Sequence, residues 1–438
     1  SGIFLLIIVG VSLLSVVAKI SRTIFFNQAG DLKPPHFSIS GVRYMFILQY
    51  AMVMFIAIMA IGITRQMRLV SGTQIGGKDI LVINALPEEA QTKYGLLKEE
   101  LLKHAEVASV TSAMQLPGKA IRDGALFRCE GQAQENVQFM QVLAVGNDFI
   151  PFFDLHLAAG YPFSNVSRTR ADEKAMLLDY WDNDYAPSGL SETYIINSRA
   201  MHTLGFTRPE ETIGKRLILS RGSGVAYIDK GTIVGVLGDD FNYTSAYEEN
   251  IPLVLMVRKY FQHCLFVRFK GNKEQGVAAF KQAWHTVIPN IHADYSFLSD
   301  VYANVYHNER MAKSLVNFFA LLSLIVANLG LVIIMAFLIK RKTKEIGIRK
   351  VNGASATNIL CLLNGRIAVW ICIAFIVAIP PAWWAFKVWL ENFARKTPLH
   401  WWIFVLAGLS VMLVSTLAVS LQTFRALRLN PVVALKTE

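Results

Sequence analysis

Four stretches of the chain contain no Asp, Glu, Lys or Arg over a length that can cross a bilayer: residues 44–63, 315–339, 367–386 and 402–424. A hydrocarbon core about 30 Å thick needs about 20 apolar residues in a helix. Inside that core every backbone polar group must be satisfied within the segment, which commits each stretch to α-helix. The chain as a whole is 53% hydrophobic and 17% charged, a modest departure from the about 45–50% and about 25% of soluble proteins. The skew is therefore local, and a long segment of ordinary composition, 64–313, separates the first stretch from the second. A disordered chain, a collagen-like chain and a small disulfide scaffold are excluded.

A fifth apolar stretch, residues 3–18, has its basic residues, Lys19 and Arg22, after it rather than before it. That is the wrong order for a signal peptide, and it reads as the last span of an N-terminal portion that precedes this sequence. The expected fold is an α-helical membrane protein with a large α+β extracytoplasmic domain and five spans, the first partial.

Charge sets the orientation. Residues 64–313 hold 26 Lys and Arg against 28 Asp and Glu, so the formal net charge of +11 lies entirely in the flanks. A nucleic-acid binder would carry that excess on its folded domain. Here it clusters in 19–43, in 340–366 and in 425–438, which all fall on one side if 64–313 lies on the other. By the positive-inside rule that side is the cytoplasm. Trp383, Trp384, Trp389, Trp401 and Trp402 gather at the opposite end of the spans, as an interfacial belt would; packing between helices is the alternative.

The resulting map is a span at 1–18, a cytoplasmic linker at 19–43, a span at 44–63 and the α+β domain at 64–313. Spans at 314–339, 366–386 and 402–424 follow, joined by a cytoplasmic elbow at 340–365 and an outer loop at 387–401, with a cytoplasmic tail at 425–438. Within 64–313, strands are expected at 78–84, 107–113, 137–145, 193–197, 216–219, 231–237 and 264–270, and helices at 94–104, 198–204 and 273–287. Breaks near 116–124, 160–190 and 220–224 suggest loops or a second lobe. Leu298, Val301, Tyr302, Val305 and Tyr306 share one helical face, and no Gly or Pro interrupts 298–329. Residues 298–313 are therefore read as a stalk helix running into the next span.

The spans carry only neutral polar residues such as Gln49, Asn317, Asn328 and Gln422. Ion-coupled carriers and channels generally need ionisable groups at that depth; small polar residues serve helix packing instead. Residues 72–78 approach a phosphate-binding loop, but Asp79 stands where Ser or Thr must bind Mg²⁺, and a strand follows rather than a helix. No metal-binding spacing or nucleophile elbow appears, and Asp182 and Asp184 read as a solvated turn. Cys129 and Cys264 are either a disulfide or two buried thiols. The run Phe149–Phe153 reads as core.

The most informative segment is the elbow, Lys340–Ser355, KRKTKEIGIRKVNGAS. Six basic residues and one acid, Glu345, alternate with Ile346, Ile348 and Val351. A stop signal would need only the cations; the spaced aliphatics describe a short amphipathic helix at the membrane surface, ending near Gly353. Each cation near an anionic leaflet is worth about 1 kcal/mol.

This segment resembles the E-I-G-I-R-K-x-x-G-A motif of the MacB/FtsX-like ABC transporter permease family, matched by Glu345, Ile346, Gly347, Ile348, Arg349, Lys350, Gly353 and Ala354. Asn430, Pro431, Ala434 and Leu435 are similar to the family's terminal N-P-x-x-A-L. Ile196-Asn197, Leu204-Gly205, Ile213-Gly214-Lys215, Ile233–Val236 and Asp240-Phe241 resemble its recurring outer-domain pattern. The resemblance implies the C-terminal half of a two-half, eight-span permease with a MacB-like periplasmic domain in a bacterial cytoplasmic (inner) membrane. It implies no cofactor on this chain, since ATP and Mg²⁺ would be bound by a separate cassette subunit, and a dimeric or pseudo-dimeric assembly. Glu345 to Ala354 would contact the cassette, with Ile346, Ile348 and Val351 filling a groove and Arg349 and Lys350 pairing with acids at its rim. ATP closure would then move the outer domain, a process called mechanotransmission. Export or extraction of a lipid, lipoprotein, peptide or drug is favoured; a signal relay activating a periplasmic cell-wall hydrolase is the alternative, and a membrane-anchored enzyme is disfavoured. A periplasmic adaptor or hydrolase and the lipid bilayer are the other expected partners, and nucleic acid is not one.

Overall fold

The structure, a computed structural model, describes residues 39–72, 75–76, 79–164, 166, 168–183, 190, 192–238, 241–247, 251–341, 345, 348–349 and 355–427. The chain forms two compact units. One comprises residues 69–307 with 393–395, and the other the described parts of 1–68, 308–392 and 396–438. The expected span at 1–18, most of the linker at 19–43 and residues 428–438 of the tail expected at 425–438 lie outside the described residues.

The first unit is α+β, and its strands follow from alternation. They are β1 (Ile80–Ile83), β2 (Val107–Ala113), β3 (Gly124–Cys129), β4 (Gln138–Val145), β5 (Leu157–Gly160), β6 (Glu192–Asn197), β7 (Arg216–Arg221), β8 (Lys230–Leu237), β9 (Leu253–Val257), β10 (Cys264–Phe269) and β11 (Ser296–Phe297). Six of them close a ring: β4 pairs β3, β3 pairs β7, β7 pairs β8, β8 pairs β6, β6 pairs β9 and β9 returns to β4. Closure leaves no free edge within the ring. Every second residue fills its interior: Ala125, Phe127 and Cys129 on β3, Met140, Val142 and Ala144 on β4, Tyr194 and Ile196 on β6, and Val254 and Met256 on β9. A barrel this small is a packed core rather than a pore.

A four-stranded arm, ordered β11-β1-β10-β2, leaves the barrel at the single register pair Ala113–Val145. Helices Tyr94–Lys103 and Lys273–Val287 bury Leu97, Leu101, Phe280, Ala283 and Trp284 against Leu81, Ile83, Val110, Leu265 and Val267 of the arm. Asn272 starts the second helix by accepting the Glu274 N–H at 2.9 Å. Phe149, Phe152 and Phe153 are buried among Phe266 and Tyr243, as a core run should be.

Three readings are corrected here, and one strand, β9, is new. Residues 170–183, inside the expected break, form helix Arg170–Asn183, which places Asp182 on a helix rather than in a turn. β3 begins at Gly124, the end of another expected break. β9, a short all-apolar run, is a fully buried strand. The expected stalk is divided: helix Leu298–Val305 stops at Tyr306 and a second helix runs His307–Arg341. The cause is tertiary. The buried Tyr306 hydroxyl accepts the Ala246 N–H at 2.8 Å, while Leu298 and Tyr302 are buried within the α+β unit.

The second unit is a helix bundle. Four described helices, Ile39–Gly72, His307–Arg341, Ala356–Leu390 and Trp401–Leu427, are each long and apolar enough to cross a membrane. Their common core joins Phe46, Tyr50 and Met54 to Leu331, Met335, Ile371, Ala374 and Val411. Close approach uses glycine: a side chain at Gly62 would meet the Phe386 ring, and one at Gly408 the Phe375 ring. Small residues at such crossings suit bundles in lipid, where helices gain from packing rather than from leaving water.

Candidate functional site

The elbow joins helices His307–Arg341 and Ala356–Leu390. Of its expected contact residues, Glu345, Ile348 and Arg349 are described; Ile346, Gly347, Lys350, Val351, Gly353 and Ala354 lie outside the described residues. Arg349 Nη2 pairs with Glu345 Oε1 at 3.1 Å, one helical turn apart. Both side chains are about half exposed, so the pair is worth well under ~1 kcal/mol and organises the turn more than it stabilises it. Beside it Ile348 is 60% exposed. Ser355, read as the end of the elbow, is the N-cap of the next helix and accepts the Asn358 N–H at 3.3 Å. That cap fixes where the elbow stops and the span begins.

Among the described residues of the bundle, Asn364 Nδ2 donates to Ser420 Oγ at 2.9 Å, and Asn328 Nδ2 to the Leu324 carbonyl at 2.7 Å. Gln66, fully buried, accepts from the Thr397 N–H at 2.8 Å and from its hydroxyl at 2.7 Å, pinning the loop between the last two spans. Among the described residues no His, Cys, Asp and Glu group is placed to hold a metal.

The α+β domain holds its charges in one buried cluster that sequence reading missed. Arg258 grips Glu192 with both guanidinium nitrogens, Nη2 reaching Oε2 at 2.7 Å and Nη1 bonding Oε1. Its Nε donates to the Val225 carbonyl at 3.0 Å, and it lies 4.5 Å over the Tyr227 ring. Arg168 Nη2 shares Glu192 Oε1 at 2.7 Å, and its Nε stands 3.9 Å from Glu173. Glu173 in turn accepts the Tyr260 N–H at 2.8 Å. Burial pulls the Arg258 guanidinium down to about 9, still charged at neutral pH. It pushes the Glu173 carboxyl up, opposed by the Tyr260 N–H, Arg258 and Arg168. Buried carboxylates and guanidiniums are tolerated only when paired in this way.

Cys129 and Cys264 are separate buried thiols rather than a disulfide, and Cys264 Sγ donates to the Asn84 carbonyl at 3.1 Å. An open cleft of about 510 Å³ is lined by Met114, Gln115, Lys119, Ala120, Arg122 and Asp123. The outer-domain pattern has a local meaning. Asn197 caps helix Ser198–Thr203 through the Ala200 N–H and also bonds the Ile251 carbonyl and the Leu253 N–H, while Gly205, at φ +90°, ends that turn.

Residues 317–431 match the family described as FtsX-like permease C-terminal, a range that includes the elbow and the last two described spans. Over that segment the chain resembles this family. It is also similar to three solved structures. The periplasmic region of MacB from Actinobacillus actinomycetemcomitans shares 10% identity at a TM-score of 0.33, over 56% of this chain and 97% of that one. The extracellular domain of the noncanonic ABC-type transporter YknZ from Gram-positive bacteria shares 14% at 0.29, over 50% and 98%. A domain of a putative permease protein from Porphyromonas gingivalis shares 13% at 0.31, over 51% and 92%. No curated protein matches the chain.

Proposed function

We propose that this chain is the permease subunit of an ABC transporter in a bacterial inner membrane, with its α+β domain in the periplasm. ATP hydrolysis by a partner cassette moves that domain, and the spans act as levers rather than as a conduit. The observation that carries the reading is Ile348, an aliphatic side chain 60% exposed beside the Arg349–Glu345 pair, inside the family-matched segment. An apolar anchor flanked by charges is what a cassette groove would take, and truncating such an anchor costs about 2 kcal/mol or more of binding. The lack of Asp, Glu, Lys and Arg in 44–63, 315–339, 367–386 and 402–424 supports mechanical rather than ion-coupled work. Export or extraction of a lipid, lipoprotein, peptide or drug is the favoured task.

A second reading, activation of a periplasmic hydrolase by contact, draws on Leu178 and Trp181, 54% and 69% exposed one turn apart on helix Arg170–Asn183. The experiment for the main reading is Ile348→Asp in the reconstituted complex. Cassette binding should weaken at least tenfold and coupled ATP hydrolysis should fall with it. Unchanged binding and hydrolysis would refute the assignment.

A further inference from the structure

The chain crosses between barrel and arm twice, through 114–123 and through 258–263, and their sheets share only the register pair Ala113–Val145. Packing of Phe152 and Phe153 on Phe266 adds an aromatic contact, and just beyond β4 Asp148 and Asp154 pair with Lys98 and Arg268 of the arm. These contacts surround the register pair and mark the pivot of any relative motion. A separate segment, 168–173, also touches both sides. Toward the barrel, Arg168 and Glu173 enter the cluster formed by Glu192 and Arg258. Toward the arm, Arg170 Nη2 donates to Gln91 Oε1 at 2.8 Å and Nη1 to Thr92 Oγ1 at 3.2 Å, both on helix Glu88–Thr92. Between them lies Tyr260, on the second crossing. Its N–H is held by Glu173, and Arg170 stands 5.0 Å over its ring.

The segment is itself fixed by a reciprocal cap: the Thr169 N–H donates to Asp172 Oδ2 at 2.8 Å, and the Asp172 N–H to Thr169 Oγ1 at 3.2 Å. Glu173 is the buried residue of helix Arg170–Asn183. The helix is therefore seated by a carboxylate peg, flanked on the same face by the half-buried Met176, Leu177 and Tyr180. Polar contacts of this kind contribute little net stability but strong geometric specificity.

We propose that residues 168–173 form a polar clasp that locks barrel and arm into one body, and that opening it frees the arm to turn about the Ala113–Val145 junction. The clasp works without any cassette, so its test is independent of the reading above. Spin labels would be placed at Glu99→Cys on the arm and Ser220→Cys on the barrel, in the full purified chain with Cys361 and Cys372 changed to Ser. Pulsed dipolar spectroscopy then reads the distance between the lobes. Arg170→Ala, a half-buried side chain outside both cores, should widen the distance distribution about twofold, and Arg168→Ala/Arg170→Ala should widen it further. Arg170→Lys, which keeps the charge but loses the two-pronged hydrogen bonding, should remain wide. An unchanged distribution in Arg170→Ala would overturn the proposal, as would full restoration by Lys.

Discussion

The barrel and the span bundle bury apolar side chains in opposite ways. In the barrel, alternate residues point inward, polar groups are forced to pair, and the charges that do enter, Arg258, Glu192 and Glu173, form one cluster. In the bundle, apolar side chains cover all sides of each helix. Phe318, Leu321 and Leu329 are about 60% exposed while Tyr50, Met54 and Ala374 are sealed. Outward-facing Phe and Leu would be a defect on a water-soluble domain and are ordinary against lipid. The contrast teaches where specificity resides. The barrel is specified by pairing and register, the bundle by shape, through contacts such as Gly62 with Phe386.

The largest effect expected from this contrast is at Phe127, fully buried within the barrel. Phe127→Ala should cost about 3–5 kcal/mol, read as a lowered denaturation midpoint of the α+β domain. Phe318→Ala, on an exposed helix face, should stay within about 0.5 kcal/mol. Equal losses would erase the distinction. A smaller effect is expected at Gly62. Its Cβ would lie 2.6 Å from the Phe386 ring, so Gly62→Ala should cost about 1–3 kcal/mol by overpacking, seen as a lower melting temperature in detergent.

The smallest prediction concerns pH. Burial raises the Glu173 pKa, so the folded domain holds that proton more tightly than the unfolded chain does. The stability linked to it is complete below the ordinary carboxylate range and is lost as pH rises through the raised value. Glu173→Gln, uncharged throughout, should therefore gain stability relative to the native chain between pH 5 and pH 8, by denaturant titration at each. A constant difference would show that the carboxyl is not perturbed.

Much of this architecture was legible from residues alone. The spans stand out because lipid allows no charge and no open backbone. Val107–Ala113 and Lys273–Val287 were readable because alternation and helical spacing persist to their ends. Three elements were not. β9, LVLMV, is buried on both faces and has no alternation to read. Helix Arg170–Asn183 carries only a short apolar stripe, Met176, Leu177 and Tyr180, and its most buried residue is the carboxylate Glu173. The break at Tyr306 depends on the remote Ala246. The charge cluster was hidden for a related reason: the segment holding Arg168 and Glu173 lies far in sequence from Arg258, and nothing in spacing announces that these charges meet Glu192. The elbow reads as an amphipathic motif in sequence, and of its expected contact residues Glu345, Ile348 and Arg349 are described.

The central claim is that nucleotide turnover outside the chain moves the α+β domain while the spans conduct nothing. The direct measurement places the chain and its cassette in liposomes, with a fluorophore at Ser220→Cys and an acceptor in the lipid headgroups. Energy transfer should change between ATP-bound and nucleotide-free states, without ion leakage, and Ile348→Asp should abolish the change. Transfer that ignores nucleotide during active turnover, or ion flux through the chain alone, would contradict the account.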